Sequence, residues 1–252
     1  MLGMFLRCPA QFEFRYIRGV IIPPGVAARV GSGVHEAAHI NNKQKITSRQ
    51  DLPASDLQDV ARDHYVKLVK EKGVFIPKDQ AQEKNKILNM GLNSVVSLTK
   101  LYHTSLAPQI QPVMAEDRLE VEVGLAWPIS GGIDAYTEDK WLSDLKTAAK
   151  SKHQVEADNS LQLTFYAGLL AHTTGEWPER VSLEVLVNTK KPKHQSLISR
   201  RGPQDWANLM LRLKLMEAQI LTGLFPPCDP GAWNCSAAWC GYYAMCKYSL
   251  RR

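Results

Sequence analysis

The chain has no uncharged apolar run that reaches the 18 or so residues needed to span a bilayer, so no membrane helix is expected. It has no internal repeat and no low-complexity tract, which sets aside solenoid and disordered-tract readings. Its first residues, MLGMFLRCPAQF, turn polar too soon for a secretory leader, so the expected location is the cytoplasm. Cysteine is missing from most of the chain: Cys8 stands alone until Cys228, Cys235, Cys240 and Cys246 crowd into the last 25 residues. In a reducing compartment such clustering speaks for metal binding more than for disulfides. Acid is in mild deficit, 25 Asp and Glu against 31 Lys and Arg, a net charge of +6 that permits a polyanionic partner without requiring one. The stretch TKKPKHQSLISRR, residues 189–201, holds basic residues and no acid, and reads either as a solvated loop or as a contact for such a partner.

What remains is the composition of an ordinary globular protein, and 252 residues suffice for one large domain or two small ones. Residues 53–72 place Leu57, Val60, Ala61, Tyr65, Leu68 and Val69 at helical spacing, with Gly73 just past the end. Residues 79–105 read as a second, longer helix. After Pro112 the period changes: Leu119, Val121 and Val123 alternate with Glu120 and Glu122, as in a strand with one wet face. GGIDAY and WLSDLKT, separated by TEDK, read as a hairpin. A helix over 159–174, a strand over 182–188 and an amphipathic helix over 204–223 follow. The expected class is α+β, a mixed-sheet domain flanked by helices, with a cysteine-rich C-terminal appendage.

The hairpin carries the chemistry. A turn centred on Asp139 sets Asp134 opposite Asp144, and Lys146 shares the face of Asp144 because strand side chains alternate. Two carboxylates that close repel unless a cation lies between them, and an oxygen-rich pair suits Mg²⁺ or Mn²⁺. The lysine could then orient or deprotonate a water for attack on phosphorus. A plain cross-strand salt bridge on an exposed hairpin accounts for the same spacing. Elsewhere, GSGVHEAAH fits H-E-x-x-H, in which His35 and His39 would grip zinc beside a general base, Glu36.

GGID…DLKT resembles the G-x-x-D…(D/E)-x-K signature of the PD-(D/E)XK nuclease superfamily, specifically its RecB-like branch. In the same order, GSGVHEAAH is similar to that branch's G-x-x-x-H element, and Gln162 and Tyr166 match its Q-x-x-x-Y motif. Cys8-Pro at one end and Cys235-x4-Cys240-x5-Cys246 at the other resemble the iron–sulfur staple of AddB-type, CRISPR-adaptation and phage RecB-like nucleases. The resemblance implies a restriction-endonuclease-like core and one nuclease domain over 1–252. Its parts would be a helical front (1–110), a catalytic sheet and helix (111–200), and a helix plus tail (201–252) joined to Cys8.

It further implies Mg²⁺ or Mn²⁺ held by His35, Asp134, Asp144 and the Leu145 carbonyl, with Lys146 activating water and Glu116 contributing nearby. Gln162 and Tyr166 would contact DNA, and Cys8, Cys235, Cys240 and Cys246 would hold a [4Fe–4S] cluster. The family's usual tail gap is shorter, and the tail alone offers four thiolates, Cys228 included, so zinc stays an alternative cofactor there. His39 would pack or sit outside the metal, and Glu36 would not bind it. The long metzincin pattern fails, because Asn42 and Lys45 stand where Gly and His are needed. The implied activity is DNA exonuclease in recombination or end processing, with a CRISPR-adaptation nuclease as the nearest sibling reading. A zinc metalloprotease (zincin) built on HEAAH and an idle DNA-binding module are the rivals from other classes. DNA is the expected partner, with room for a recombination or single-strand-annealing protein and for an oligomer.

Overall fold

The computed structural model describes residues 1–249. The chain divides into two compact units, residues 24–207 and residues 1–23 with 208–252. Among the described residues no helix is long and apolar enough to cross a membrane.

In the larger unit, α3 (Val26–Ser48), α4 (Ala54–Lys72) and α5 (Lys84–Leu101) lead into a sheet. Their apolar faces close on Val34, Ala37, Leu57, Ala61, Val95 and Leu98, all fully buried. The helix expected over 79–105 is instead a 3₁₀ turn (Lys78–Glu83), then α5, then a π-helical turn (Tyr102–Leu106). Inside that turn Tyr102 gives its hydroxyl proton to Asn42 and accepts from Asn41, so its buried oxygen is satisfied.

The strands are β1 (Pro112–Met114), β2 (Asp117–Val121), β3 (Ile129–Ile133), β4 (Ala135–Thr137), β5 (Trp141–Ala148), β6 (Arg180–Val187) and β7 (Lys193–Ser199). A five-stranded sheet runs β1-β4-β5-β6-β7, and β2 and β3 form a separate ribbon. β5 and β6 are parallel, and α7 (Leu161–Thr174) lies in the connection between them, after the short α6 (Gln154–Asp158); the other pairings are antiparallel. This is a mixed sheet flanked by helices, in an α+β fold.

Two sequence expectations change. The alternating stretch after Pro112 is not one strand: it breaks at Glu116, whose φ of 52° turns the chain out of the large sheet into the ribbon. The basic stretch 189–201 is mostly not a loop either, because Lys193–Ser199 pairs with β6 as an edge strand. Lys193, exposed at the start of that strand, sits on the edge, a placement that discourages further pairing.

The smaller unit holds α1 (Leu2–Arg7), α2 (Pro9–Phe12), a π-helical turn (Glu13–Ile17), most of α8 (Pro203–Thr222) and the cysteine-rich tail. Phe5, Phe12 and Met216 form its apolar centre.

Candidate active site

GSGVHEAAH lies on α3, and its glycines set how closely that helix packs. A Cβ on Gly33 would stand 2.7 Å from both the Ala61 carbonyl oxygen and Val95 Cγ2, and one on Gly31 would stand 3.1 Å from Thr147 Oγ1. Glycine at 33 therefore lets α3 approach α4 and α5, and Gly31 lets it approach the end of β5. From this helix His35 reaches the step between β3 and β4, where its Nδ1 lies 3.6 Å from Asp134 Oδ1.

The hairpin has the register that a turn at Asp139 predicts: Ala135 faces Ser143 and Tyr136 faces Leu142. Asp134 precedes these pairs, and its Oδ2 accepts the Leu145 amide proton at 2.7 Å. Burial pushes the Asp134 carboxyl up, but the His35 hydrogen bond and charge, Lys146 and that amide together hold it below its ordinary value. For His35 the balance is the mirror image: burial lowers it, and Asp134 more than compensates, so its pKa rises.

Glu116 reaches the same place from the break between β1 and β2. A left-handed φ costs a non-glycine residue about 1–3 kcal/mol and persists only where its surroundings enforce it. Here the Glu116 amide donates to the Ile133 carbonyl at 2.8 Å, which pins the break to the end of β3. Burial, then Asp134 and Glu36, push the Glu116 carboxyl up to about 7 against the pull of His35. His35, Glu116 and Asp134 each present a ligand atom within 4.8 Å of the others.

Asp144 lies beside this triangle. Its side chain is 1% exposed, and Lys146 Nζ sits 2.8 Å from Oδ1 in hydrogen-bonding geometry. Nζ is also 2.7 Å from Oδ2, an ion pair to which no hydrogen bond is added. Burial, with Asp134 nearby, pushes the Asp144 carboxyl up to about 6 despite Lys146. Burial works to discharge Lys146, and the two carboxylates outweigh it and keep the ammonium protonated. Such a set suits a divalent cation: hard oxygen donors, one imidazole and a buried carboxylate, Asp144, whose Oδ2 has an ion pair but no hydrogen bond.

Tyr166 lines the same cleft from α7, and Gln162 Nε2 donates to its hydroxyl at 2.8 Å. Ser160 caps this helix by accepting the Leu163 amide proton, and Gly131 on β3 lets it lie close, since a Cβ there would meet Tyr166 Cε1 at 3.0 Å. Ser32, Glu36 and His39 line the cleft too. Sequence reasoning set Glu36 and His39 apart from the metal, yet their spacing from His35, one and four residues along a helix, already placed them near that face. Of the implied metal ligands, His35 and Asp134 stand in the triangle, Asp144 stands next to it, and Leu145 is present through its amide.

The smaller unit gathers the cysteines. Cys8, Cys228, Cys235, Cys240 and Cys246, all free thiols, line one cavity. Gln11 Nε2 donates to Cys240 Sγ at 3.1 Å, the Cys228 amide to Cys8 Sγ at 3.4 Å, and Asn234 Nδ2 to Cys228 Sγ at 3.7 Å. Burial, Cys8 and Cys235 push the Cys228 thiol up to about 12. Sequence reasoning left Cys228 out of the iron–sulfur set and gave it a place only in the zinc alternative; the fold brings its amide to Cys8 Sγ.

The family model of the PD-(D/E)XK nuclease superfamily matches residues 2–247, across both units. A solved structure of a candidate exonuclease from Eubacterium rectale is similar at 12% identity and a TM-score of 0.44, covering 85% of this chain and 86% of that one. No curated protein matches the sequence.

Proposed function

The chain belongs to the PD-(D/E)XK nuclease superfamily, and from that premise we propose that it is a metal-dependent DNA exonuclease of the RecB-like type, acting in the cytoplasm in recombination or DNA-end processing. The observation that carries this reading is the convergence of His35, Glu116 and Asp134 within ligand distance beside the buried Asp144–Lys146 pair. These four acidic and imidazole side chains, with the Leu145 carbonyl, would hold one or two Mg²⁺ or Mn²⁺ ions. A bound cation supplies Lewis-acid stabilisation of charge on phosphorus and makes water acidic enough to attack at neutral pH.

The chain's own groups do the rest. Lys146, kept protonated by its carboxylates, directs a positive charge into the cleft and can orient the attacking water and the scissile phosphate. Tyr166, with Gln162 hydrogen-bonded to its hydroxyl, lines the cleft where a backbone phosphate would pass. The reaction adds water across one phosphodiester: oxygen bonds to phosphorus, the P–O bond to the leaving sugar breaks, and a proton goes to the departing oxygen. A zincin reading of HEAAH is weaker, because His35 is grouped with Glu116 and Asp134 rather than with His39.

For the cavity in the smaller unit we propose a [4Fe–4S] cluster on Cys8, Cys235, Cys240 and Cys246. Five thiols around one cavity, with N–H donors aimed at sulfur, fit such a group. Both units would thus serve one nuclease.

The test is incubation of the purified protein with end-labelled linear DNA and with covalently closed circular DNA, with and without Mn²⁺ or Mg²⁺. Metal-dependent loss of the linear substrate with the circle spared supports an exonuclease; cutting of the circle would make it an endonuclease, and no cutting of either would remove the activity.

A further inference from the structure

The chain's positive charge is unevenly shared. Among the described residues, 1–23 and 208–249 hold six Lys and Arg against three Asp and Glu, a net charge of +3, while residues 24–207 hold 23 against 22, a net charge of +1. The larger unit, with the acidic metal cleft, is nearly neutral.

The same unit exposes aromatic surface that its fold does not use. Trp233 is 66% exposed and Trp239 70%, and the two indoles meet edge to face, with centroids 5.5 Å apart and an interplanar angle of 84°. That arrangement leaves both faces of one ring and the outer face of the other clear of the pair. Large exposed indoles are unfavourable in water and mark binding surfaces when they cluster. They are also held in place. Each precedes a buried anchor in the chain: Asn234, which donates to Cys228 Sγ, and Cys240, which accepts from Gln11. Tight turns, Cys235 N–H to the Ala232 carbonyl and Cys240 N–H to the Ser236 carbonyl, fix the backbone between them. Lys247 stacks its ammonium over Tyr248, 4.8 Å from the ring centroid, and so presents a cation in the same unit.

We propose that Trp233 and Trp239 form a stacking platform for unpaired nucleobases, so that the cysteine-rich unit binds single-stranded DNA. Stacking needs a base whose face is free, which a duplex interior does not offer; the unit's net positive charge complements the phosphate backbone. Aromatic platforms of this kind are tolerant of sequence, since every base has a π-face. The proposal rests on the reading of DNA as substrate, but it concerns a surface outside the metal cleft.

The experiment is fluorescence anisotropy of a labelled oligo-dT of about 20 nucleotides, and of a blunt duplex of similar length, with the full chain in EDTA so that nothing is cut. Trp233→Ala and Trp239→Ala should each weaken oligo-dT binding by about tenfold, and the double variant by more. Trp233→Phe and Trp239→Phe keep an aromatic face and should bind within a few-fold of wild type, which separates stacking from damage to the fold. Lys247→Ala should reduce the salt dependence of binding, which the tryptophan variants should not. Wild-type binding of oligo-dT that survives both Ala substitutions would overturn the platform and leave the nuclease reading standing. Wild type that cleaves linear DNA yet binds no oligo-dT would do the same. Protein that neither binds nor cleaves DNA would remove both readings, and tryptophan-dependent binding to anionic phosphatidylglycerol vesicles without oligo-dT binding would assign the surface to a membrane instead.

Discussion

Asp144 and Lys146 stand two residues apart on β5, and their side chains meet on one face, Nζ 2.8 Å from Oδ1 of a carboxylate that is 1% exposed. A buried carboxylate is tolerable only with a counter-charge. Lys146→Ala should therefore lower stability as well as activity, by about 1–3 kcal/mol, the lysine being partly solvated. Urea unfolding of Lys146→Ala beside Lys146→Arg checks this. Equal stability of the alanine variant and wild type would mean that the pair does not hold Asp144.

The approach of α3 to its neighbours supplies a prediction independent of catalysis. Gly33→Ala would place a Cβ 2.7 Å from the Ala61 carbonyl, a backbone atom that cannot swing away. The helix must shift, and the expected loss is about 1–3 kcal/mol in chemical denaturation. Gly3→Ala, with nothing within 4 Å of its added Cβ, is the control and should change little.

The cysteine cavity predicts a colour. Protein purified without oxygen should be brown, with broad absorption near about 400 nm, as expected for an iron–sulfur cluster. Cys8→Ala, Cys235→Ala, Cys240→Ala and Cys246→Ala should each remove it, while Cys228→Ala should not. Iron and zinc analysis checks the assignment: colourless protein with stoichiometric zinc would contradict the cluster and leave the nuclease untouched.

Gln162 and Tyr166 are one turn apart on α7 and hydrogen-bonded to each other at 2.8 Å. If they hold the DNA backbone, replacing either by alanine should slow cleavage by about 10- to 100-fold without unfolding the protein. Wild-type cleavage by both variants would show that the contact belongs to the fold alone.

Much of this arrangement was legible in the sequence, for physical reasons. Helical spacing placed α4, α7 and α8 within a residue or two, and a turn at Asp139 fixed the register that sets Asp134, Asp144 and Lys146 near one another. The break at Glu116 left no such trace. Leu119 and Val121 alternate with Glu120 as in any half-exposed strand, and alternation names the wet face but not the partner strand. A positive φ at a glutamate is imposed by the Ile133 carbonyl and the surrounding chain, not by its own preference. β7 was obscured by Lys193 and the lysines just before it, which suit the approach to an edge strand as well as a loop. In the tail, spacing singled out Cys235, Cys240 and Cys246, but only the fold shows Cys228 returning to Cys8.

The central claim is that the cleft holding His35, Glu116, Asp134 and Asp144 cuts DNA with a metal ion. The most direct measurement is Mn²⁺-dependent cleavage of end-labelled linear DNA by Asp144→Asn, His35→Ala and Glu36→Gln, each checked for folding by circular dichroism. Asp144→Asn should abolish cleavage, since it removes a charge that the cation needs, and His35→Ala should cost at least about 100-fold. Glu36→Gln should stay within several-fold of wild type. Full cleavage by Asp144→Asn, or none by a folded Glu36→Gln, would contradict the account.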